Sequence, residues 1–480
     1  MTLALVVLVK NTKNATAHKG KRVEILSFLF ILSLASPVIS RMTGRATGFI
    51  LLLMSYRIYL NLKNVIKYTS MNRRVWFMFF TIFIDMLGIG ILFPVIPQLL
   101  GNPDSPYFLL PTSEADLGLI FLGLLVSSYP FAAFFAAPIL GAISDKFGRR
   151  PVLLISILGT SISYFIFAYA IFIKNIPLLF FSRIVDGITG GNIAVAQAVI
   201  ADITKPEERA KTFGFIGAAF GLGFIVGPFL GGILSSPSVL PFFNATTPFI
   251  FSGFLALFNV ISIKYFFKES IKVKDATRKI DFFASIKNIV KAGKFENIRF
   301  LFLVSFLFNA GFSFFTSFFN VYLTHKFNFS PALIGNFFAY VGIWIIITQV
   351  LVVRRLSKKY TEMQVLGIAY ILSAVGIILY LLPDQAWMLL FIVPLASIPN
   401  GVQQANFSAL LSKRTPENVR GEVMGINSSV NSLGQAIPPL FAGGIAAIFT
   451  SSTPIIFGAV VVFSAGIVFI YKVKKVSLIS

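Results

Sequence analysis

The chain has no cysteine, which removes disulfides, thiol catalysis and zinc–thiolate sites. Its two histidines, His18 and His325, stand far apart with no metal-ligand spacing around either. No Gly-x-x-x-x-Gly-Lys-Ser/Thr phosphate loop occurs, so ATP is not the expected energy source. The apolar stretches hold no Ser/His pair and no metal-ligand set, so neither an enzyme nor a resident cofactor is expected. Charge is scarce as well. Only 12% of the 480 residues are charged and 56% are hydrophobic, where a soluble domain carries about 25% charged residues. Acids are the rarer sign: 18 against 41 bases, a net charge of +23. So apolar a chain cannot hide its side chains in one aqueous core, and the bilayer must be part of its solvent.

Twelve apolar stretches of spanning length follow, since about 20 residues cross the hydrocarbon. They lie near 75–99, 116–140, 151–173, 177–200, 211–234, 247–267, 299–323, 331–353, 364–382, 387–411, 422–448 and 454–472. The excess of base sits in alternate loops: Lys146, Arg149 and Arg150; Lys205, Arg209 and Lys211; Lys268 to Arg299; Arg354 to Lys359; Lys413 to Arg420. The intervening loops carry only acids, nothing charged, or a lone Lys174 or Lys326. That alternation predicts cytoplasmic basic loops and cytoplasmic ends for the core. Nucleic-acid binding is not expected, because the bases never form one continuous face. The predicted organisation is a six-helix half over 71–267, a basic linker over 268–298, and a second six-helix half with a short tail over 299–480. Residues 1–70 fit this core poorly. Val23–Ser40 is short for a span and Gly48–Leu60 is interrupted by Arg57. They read as an extension, either an extra membrane segment or an over-extended start ahead of Met71.

The halves repeat. Arg209, Gly214, Gly223, Pro228 and Gly232 recur 211 residues later as Arg420, Gly425, Gly434, Pro439 and Gly443. Two similar halves that rock about a central site are a transporter signature.

An ionisable side chain deep in a bilayer costs about 2.5–3.5 kcal/mol, so each is a functional candidate. Asp85 lies about 15 Å into the first span. Arg183 and Asp186 are three apart on one face of the fourth, and Arg183, Gly190 and Gln197 share a stripe at spacings of seven. Asp85 is followed by Gly88, Gly90, Pro94 and Pro97, and a water-lined cavity between the first and fourth spans is expected. Burial favours a neutral carboxyl and a nearby arginine favours the anion. An Asp held between those effects can load a proton on one side and release it on the other; the alternative is a permanent Asp–Arg pair that only holds helices together. The fifth span reads Gly223-Phe-Ile-Val-Gly227-Pro228-Phe-Leu-Gly231-Gly232, whose glycines admit a neighbouring backbone. The loop Gly141-Ala-Ile-Ser-Asp145-Lys-Phe-Gly148-Arg149-Arg150 suits a gate latch, with Asp145 at a helix N-terminus and the arginines paired to acids such as Asp202. In the second half, Asn309, Gln349, Gln403, Gln404 and Asn431 are candidates to line a cavity or to bridge helices.

These motifs resemble the major facilitator superfamily, in particular its twelve-helix drug/proton antiporters and their tetracycline-efflux branch. Gly141–Arg150 resembles the inner-loop gating motif, Arg183 to Gly191 the fourth-helix motif, Gly223–Gly232 the fifth-helix antiporter motif, and Asp85 to Pro97 the first helix with its acid. The resemblance covers about Met71 to the C-terminus. It implies an all-α polytopic membrane protein with two pseudo-symmetric six-helix bundles, a proton as coupling ion, and a small organic substrate. There are departures. Tetracycline exporters hold an acid in the third helix where this chain has Ser163 before Tyr164, and a histidine in the eighth, where 331–353 has none. Both losses argue against a metal–tetracycline substrate. The expectation is a proton-coupled exporter of small amphipathic compounds, with Asp85 as proton carrier tuned by Arg183. A nutrient uniporter or symporter is the alternative, and a non-transporting membrane sensor the more distant one.

Overall fold

The computed structural model describes residues 73–204, 209–271, 280–296, 298–416 and 419–477. The readings made for residues 1–70 lie outside the described residues.

Apolar runs of spanning length become helices, and their ends are set by polar caps. The helices of the first half are α1 (Arg73–Ile96), α2 (Ala115–Phe147), α3 (Arg149–Phe172), α4 (Ile176–Gly190), α5 (Asn192–Ile203), α6 (Arg209–Leu234) and α7 (Thr247–Phe266). After α8 (Ala284–Lys294) come α9 (Arg299–Phe327), α10 (Pro331–Ile347), α11 (Glu362–Leu379), α12 (Leu389–Arg414), α13 (Arg420–Ile448) and α14 (Thr453–Ser477). Asn175 caps α4 by accepting from the Leu178 N–H at 2.9 Å. Ser330 caps α10 ahead of Pro331, and Thr361 and Gln364 close a reciprocal capping box on α11. Prolines bend the ends: α1, with Pro94 inside it, runs on as a π-helical turn over Pro97–Gly101.

Among the described residues, ten helical segments are long and apolar enough to cross a membrane, against the twelve expected. α4 and α5 form one of these, Ile176–Ile203. α6, at 26 residues, has the length of a span, with Gly221–Leu234 as an apolar stretch within it. α13 has the length, at 29 residues, but Asn427, Ser428, Ser429, Asn431, Ser432 and Gln435 dilute its apolar character.

In the first half α6 lies along α1, α7 along α3, and α4 against both α2 and α3. In the second half α9 packs on α13 and α14, and α11 on α12 and α14. Two broad contacts join the halves, α2 with α13 and α6 with α10. The 211-residue repeat maps onto this arrangement. Gly223 meets Met86 and Leu87 of α1, and Gly434 meets Asn309 and Phe306 of α9. Toward the other end, Gly232 meets Pro331 and Gly335 across the seam, as Gly443 meets Leu119 and Ile120. Each copy of the motif therefore uses its first glycine within its own half and its last on the opposite half.

The seam is tight on the face away from the basic loops. There the His325 Nε2 lies 2.7 Å from the Gly101 carbonyl oxygen, Phe93 stacks on Phe338 at 5.7 Å, and Ser127 donates to the Ala436 carbonyl at 2.6 Å. Toward the basic face a Cβ at Gly141, Gly221 or Gly425 would meet nothing within 4 Å. The linker helix α8 lies against α2 and α13 on that side. Ser285 donates to the Phe134 carbonyl, Asn288 to Ser429 at 3.2 Å, and Lys291 pairs with Glu422 at 2.9 Å.

A Cβ on Gly227 would lie 2.5 Å from the Leu87 carbonyl oxygen and 2.8 Å from the Gly90 Cα, and backbone cannot give way cheaply. Gly227→Leu is expected to cost about 1–3 kcal/mol, read as a lower midpoint of thermal unfolding in detergent. Gly221→Ala, which faces open space, is expected to leave that midpoint unchanged or raised.

Candidate functional site

The three membrane acids and bases singled out from the sequence converge at the centre of the first half, with an asparagine beside them. Asp85 on α1, Arg183 and Asp186 on α4, and Asn192 at the start of α5 are all buried. Arg183 closes on Asp186 at 2.6 Å, so its partner is Asp186 and not Asp85. The Arg183 guanidinium also sits over the Tyr129 ring, 4.8 Å from its centroid. The Ser163 and Thr160 hydroxyls of α3 come within reach of the Asp186 carboxylate. Both oxygens of Asp85, in contrast, have no hydrogen-bond partner among the described residues. The Asn192 amide stands beside that carboxyl without closing a bond to it, and both its polar atoms are unpaired too.

Between the first and fourth spans, where a water-lined cavity is expected, the structure brings in two tyrosines. The Tyr164 hydroxyl lies over Gly88, where a Cβ would sit 1.6 Å from it, and the Tyr129 hydroxyl lies over Gly190. The glycines of the fourth span are there to receive Tyr129, since Gly187 meets its carbonyl and Gly190 its ring. Sequence reasoning missed Tyr129, Tyr164 and Asn192 as members of the cluster. Tyrosine in an apolar run carries no position signal, but Asn192 directly after Gly190-Gly191 does mark a helix break. The stripe partner Gln197 lies further along α5, half-buried.

At the basic face α2 runs through Phe147, and Gly148 alone separates it from α3. Gly148 has φ 111° and ψ 153°, a conformation that side chains beyond glycine rarely adopt. Asp145 therefore stands in the last turn of α2, not at a helix N-terminus, and pairs with Arg149 at 2.6 Å. Arg149 also reaches Asp202 on α5 at 3.1 Å and donates to the Ser144 hydroxyl at 2.7 Å. The acid at the start of α3 is Glu269, just beyond α7. It accepts from the Arg149 N–H at 3.0 Å and the Arg150 N–H at 3.1 Å. Glu269 was overlooked in the sequence; its signal is a lone acid between Lys268 and Lys272. Partial burial pushes its carboxyl up, but the backbone N–H groups of Arg150, Ile271, Arg149 and Ser270 outweigh that and hold it below the usual glutamate range.

The model of the Major Facilitator Superfamily matches residues 78–437, and a second match covers 301–478. The chain belongs to that superfamily. It is 30% identical over 372 residues to the tetracycline resistance protein, class C, of Escherichia coli, covering 78% of this chain and 89% of that one. It is 27% identical to multidrug resistance protein 2 of Bacillus subtilis (strain 168), covering 82% and 94%. Among solved structures, the human organic anion transporter MFSD10 (TETRAN) aligns with a TM-score of 0.63 at 23% identity, covering 84% of this chain and all of that one. The POT family transporter PepTSo gives 0.63 at 14%. These two structures bear on the fold. The superfamily member described here is a multi-pass membrane protein of the transporter class.

Within this superfamily fold the second-half polar candidates separate. Gln403 is buried and donates to the Tyr370 hydroxyl at 3.2 Å, which ties α12 to α11. Asn431 accepts from Ser305 at 2.7 Å and from Asn309 at 3.0 Å, tying α13 to α9. These three bridge helices. Gln404 and Gln349 are exposed, and Gln349 donates to the Gly401 carbonyl at 3.2 Å. The aromatic residues Phe312 and Phe315 pack on one another at 5.8 Å, as packing rather than as a free surface.

Glu269→Ala removes the cap of α3 and is expected to cost about 1 kcal/mol. A carboxyl held below its unfolded value stabilises above that value, about 4.3, and loses its contribution as pH falls through the folded one. The stability gap between wild type and Glu269→Ala, followed by thermal unfolding from neutral pH down to pH ~3, should therefore shrink at the acid end.

Proposed function

We propose that the protein is a proton-coupled antiporter that exports small amphipathic organic compounds. Residues 71–267 and 299–480 act as the two rocking halves, with the basic loops in the cytoplasm and 268–298 linking them. The tight seam then lies on the outer side. The observation that carries the reading is Asp85, a carboxyl buried at mid-span whose oxygens have no hydrogen-bond partner among the described residues. Such a group in a membrane core is costly unless it has work to do. Its neighbour Arg183 is already engaged by Asp186 at 2.6 Å, so Asp85 is free to gain and lose a proton without breaking that pair.

The other motifs take their places around it. Gly223, Gly227 and Gly231 hold α6 on the helix that carries Asp85, and Gly232 and Pro228 hold it on α10. The network of Asp145, Arg149 and Asp202, which ties α2, α3 and α5 together at the basic face, is read as the inner latch. Gln404 and Gln349 remain as candidates to meet the substrate. The resistance proteins named above support export as the direction.

In everted vesicles with a preset ΔpH, a panel of lipophilic amphipathic compounds should include some that collapse the gradient with wild type and fail to do so with Asp85→Asn. An equal response from both proteins would remove Asp85 from the coupling. No response from either, together with accumulation of a compound by intact cells, would point to a nutrient importer.

A further inference from the structure

Asp85 and Asn192 form an anomaly. Each is buried and each lacks a hydrogen-bond partner on every side-chain polar atom among the described residues, and they stand beside one another where α1 meets α5. Buried polar groups in native proteins are almost always paired, so a neighbouring pair left open calls for a reason. Their donor inventories supply one. A neutral carboxyl has one O–H donor and one carbonyl acceptor, the mirror of a primary amide. The two can then close a ring of two hydrogen bonds, O–H to Asn192 Oδ1 and Nδ2–H to the Asp85 carbonyl oxygen. An ionised carboxylate only accepts, so Nδ2–H keeps a partner while Oδ1 faces an anion that offers nothing.

The position of Asn192 gives that difference a lever. It is the first residue of α5, directly after the break at Gly190–Gly191. Gly191 is packed so closely on α2 that a Cβ would lie 3.0 Å from Ala137. α5 is 12 residues long, and its other end carries Asp202, the acid that holds Arg149 at 3.1 Å. One short rigid helix thus has the Asp85 neighbour at one end and a latch residue at the other. The charged and titratable groups around the pair are Asp186 and Arg183 of α4, Tyr129 of α2 and Tyr164 of α3. The first two neutralise one another through their own ion pair.

We propose that Asn192 is a positioning residue that reads the protonation state of Asp85, closing an acid–amide pair when the proton is on and opening it when the proton leaves, and that α5 passes this change to the Asp202–Arg149 latch. The proposal rests on Asp85 being the proton carrier, and the test keeps the two apart. Infrared difference spectra of the purified protein across a pH titration carry a protonated-carboxyl C=O band. Asp85→Asn assigns that band by removing it. Asn192→Leu is then expected to keep the band and shift it to higher frequency, because the carbonyl has lost its donor. Asn192→Thr, which keeps a hydroxyl donor, should shift it less and guards against a leucine variant that does not fold. The latch is followed through Gly141→Cys, a lone thiol in this cysteine-free chain. Asp85→Asn, a fixed mimic of the neutral acid, should change its maleimide labelling rate by about fivefold, and Asn192→Leu should abolish that difference.

If the band is assigned to Asp85 but does not move in Asn192→Leu, Asn192 does not read the proton and the proposal falls while the carrier assignment stands. If the band moves but the labelling difference survives Asn192→Leu, transmission through α5 is wrong. If Asp85→Asn leaves the band in place, the carrier assignment itself fails and takes this proposal with it.

Discussion

Everything at the buried centre depends on how closely α6 lies on α1. Gly223, Gly227 and Gly231 remove side chains along one line of α6, and the α1 backbone from Met86 to Ile91 moves into the space. Lipid offers helices no hydrophobic drive to associate, so close packing of this kind has to supply the attraction. It also fixes rotation. With α1 clamped along one side, Asp85 cannot turn toward solvent or lipid and is held against α4 and α5. Tyr164 over Gly88 and Tyr129 over Gly190 then pack against the polar cluster.

That packing sets how charge is disposed in the first half. Arg183 and Asp186 satisfy one another and lean on Tyr129, Thr160 and Ser163. A buried pair of this quality is expensive to break and so makes a stable background for the one acid left unsatisfied. The third-helix position where tetracycline exporters hold an acid is Ser163 here, and it is this serine that lies by Asp186. At the basic face the same economy appears in another form. Gly148 lets α3 start at once after α2, which exposes two N–H groups to Glu269 and brings Arg149 between Asp145 and Asp202.

The second half carries the same scaffold with different contents. Its motif glycines meet α9 and α2 as their counterparts meet α1 and α10. Where the first half has ionisable groups, the second has amides and hydroxyls, bonded to each other across α9 and α13. Buried ionisable groups gather in one half and neutral polar bridges in the other. The linker helix α8, held to α2 by Ser285 and to α13 by Asn288 and Lys291, spans the seam on the side where the halves otherwise diverge.

The all-α polytopic architecture and the placing of Asp85, Arg183 and Asp186 inside the spans were legible from residue type, and the superfamily from the resemblance that its motifs carry. Hydropathy over twenty residues, a glycine-proline string at a constant offset, and charge confined to alternate loops are local properties that survive without a fold. The partners were not legible. That Arg183 takes Asp186 and leaves Asp85 open, that Glu269 and not Asp145 caps α3, and that Asn192 stands beside Asp85 are facts of helix rotation and crossing. They depend on contacts between segments tens to hundreds of residues apart. The sequence by itself determined that Asp85, Arg183 and Asp186 would lie deep in the spans, because their apolar surroundings put them there. Only the tertiary structure decided which of them are paired, because pairing is a matter of angles and ångströms between helices.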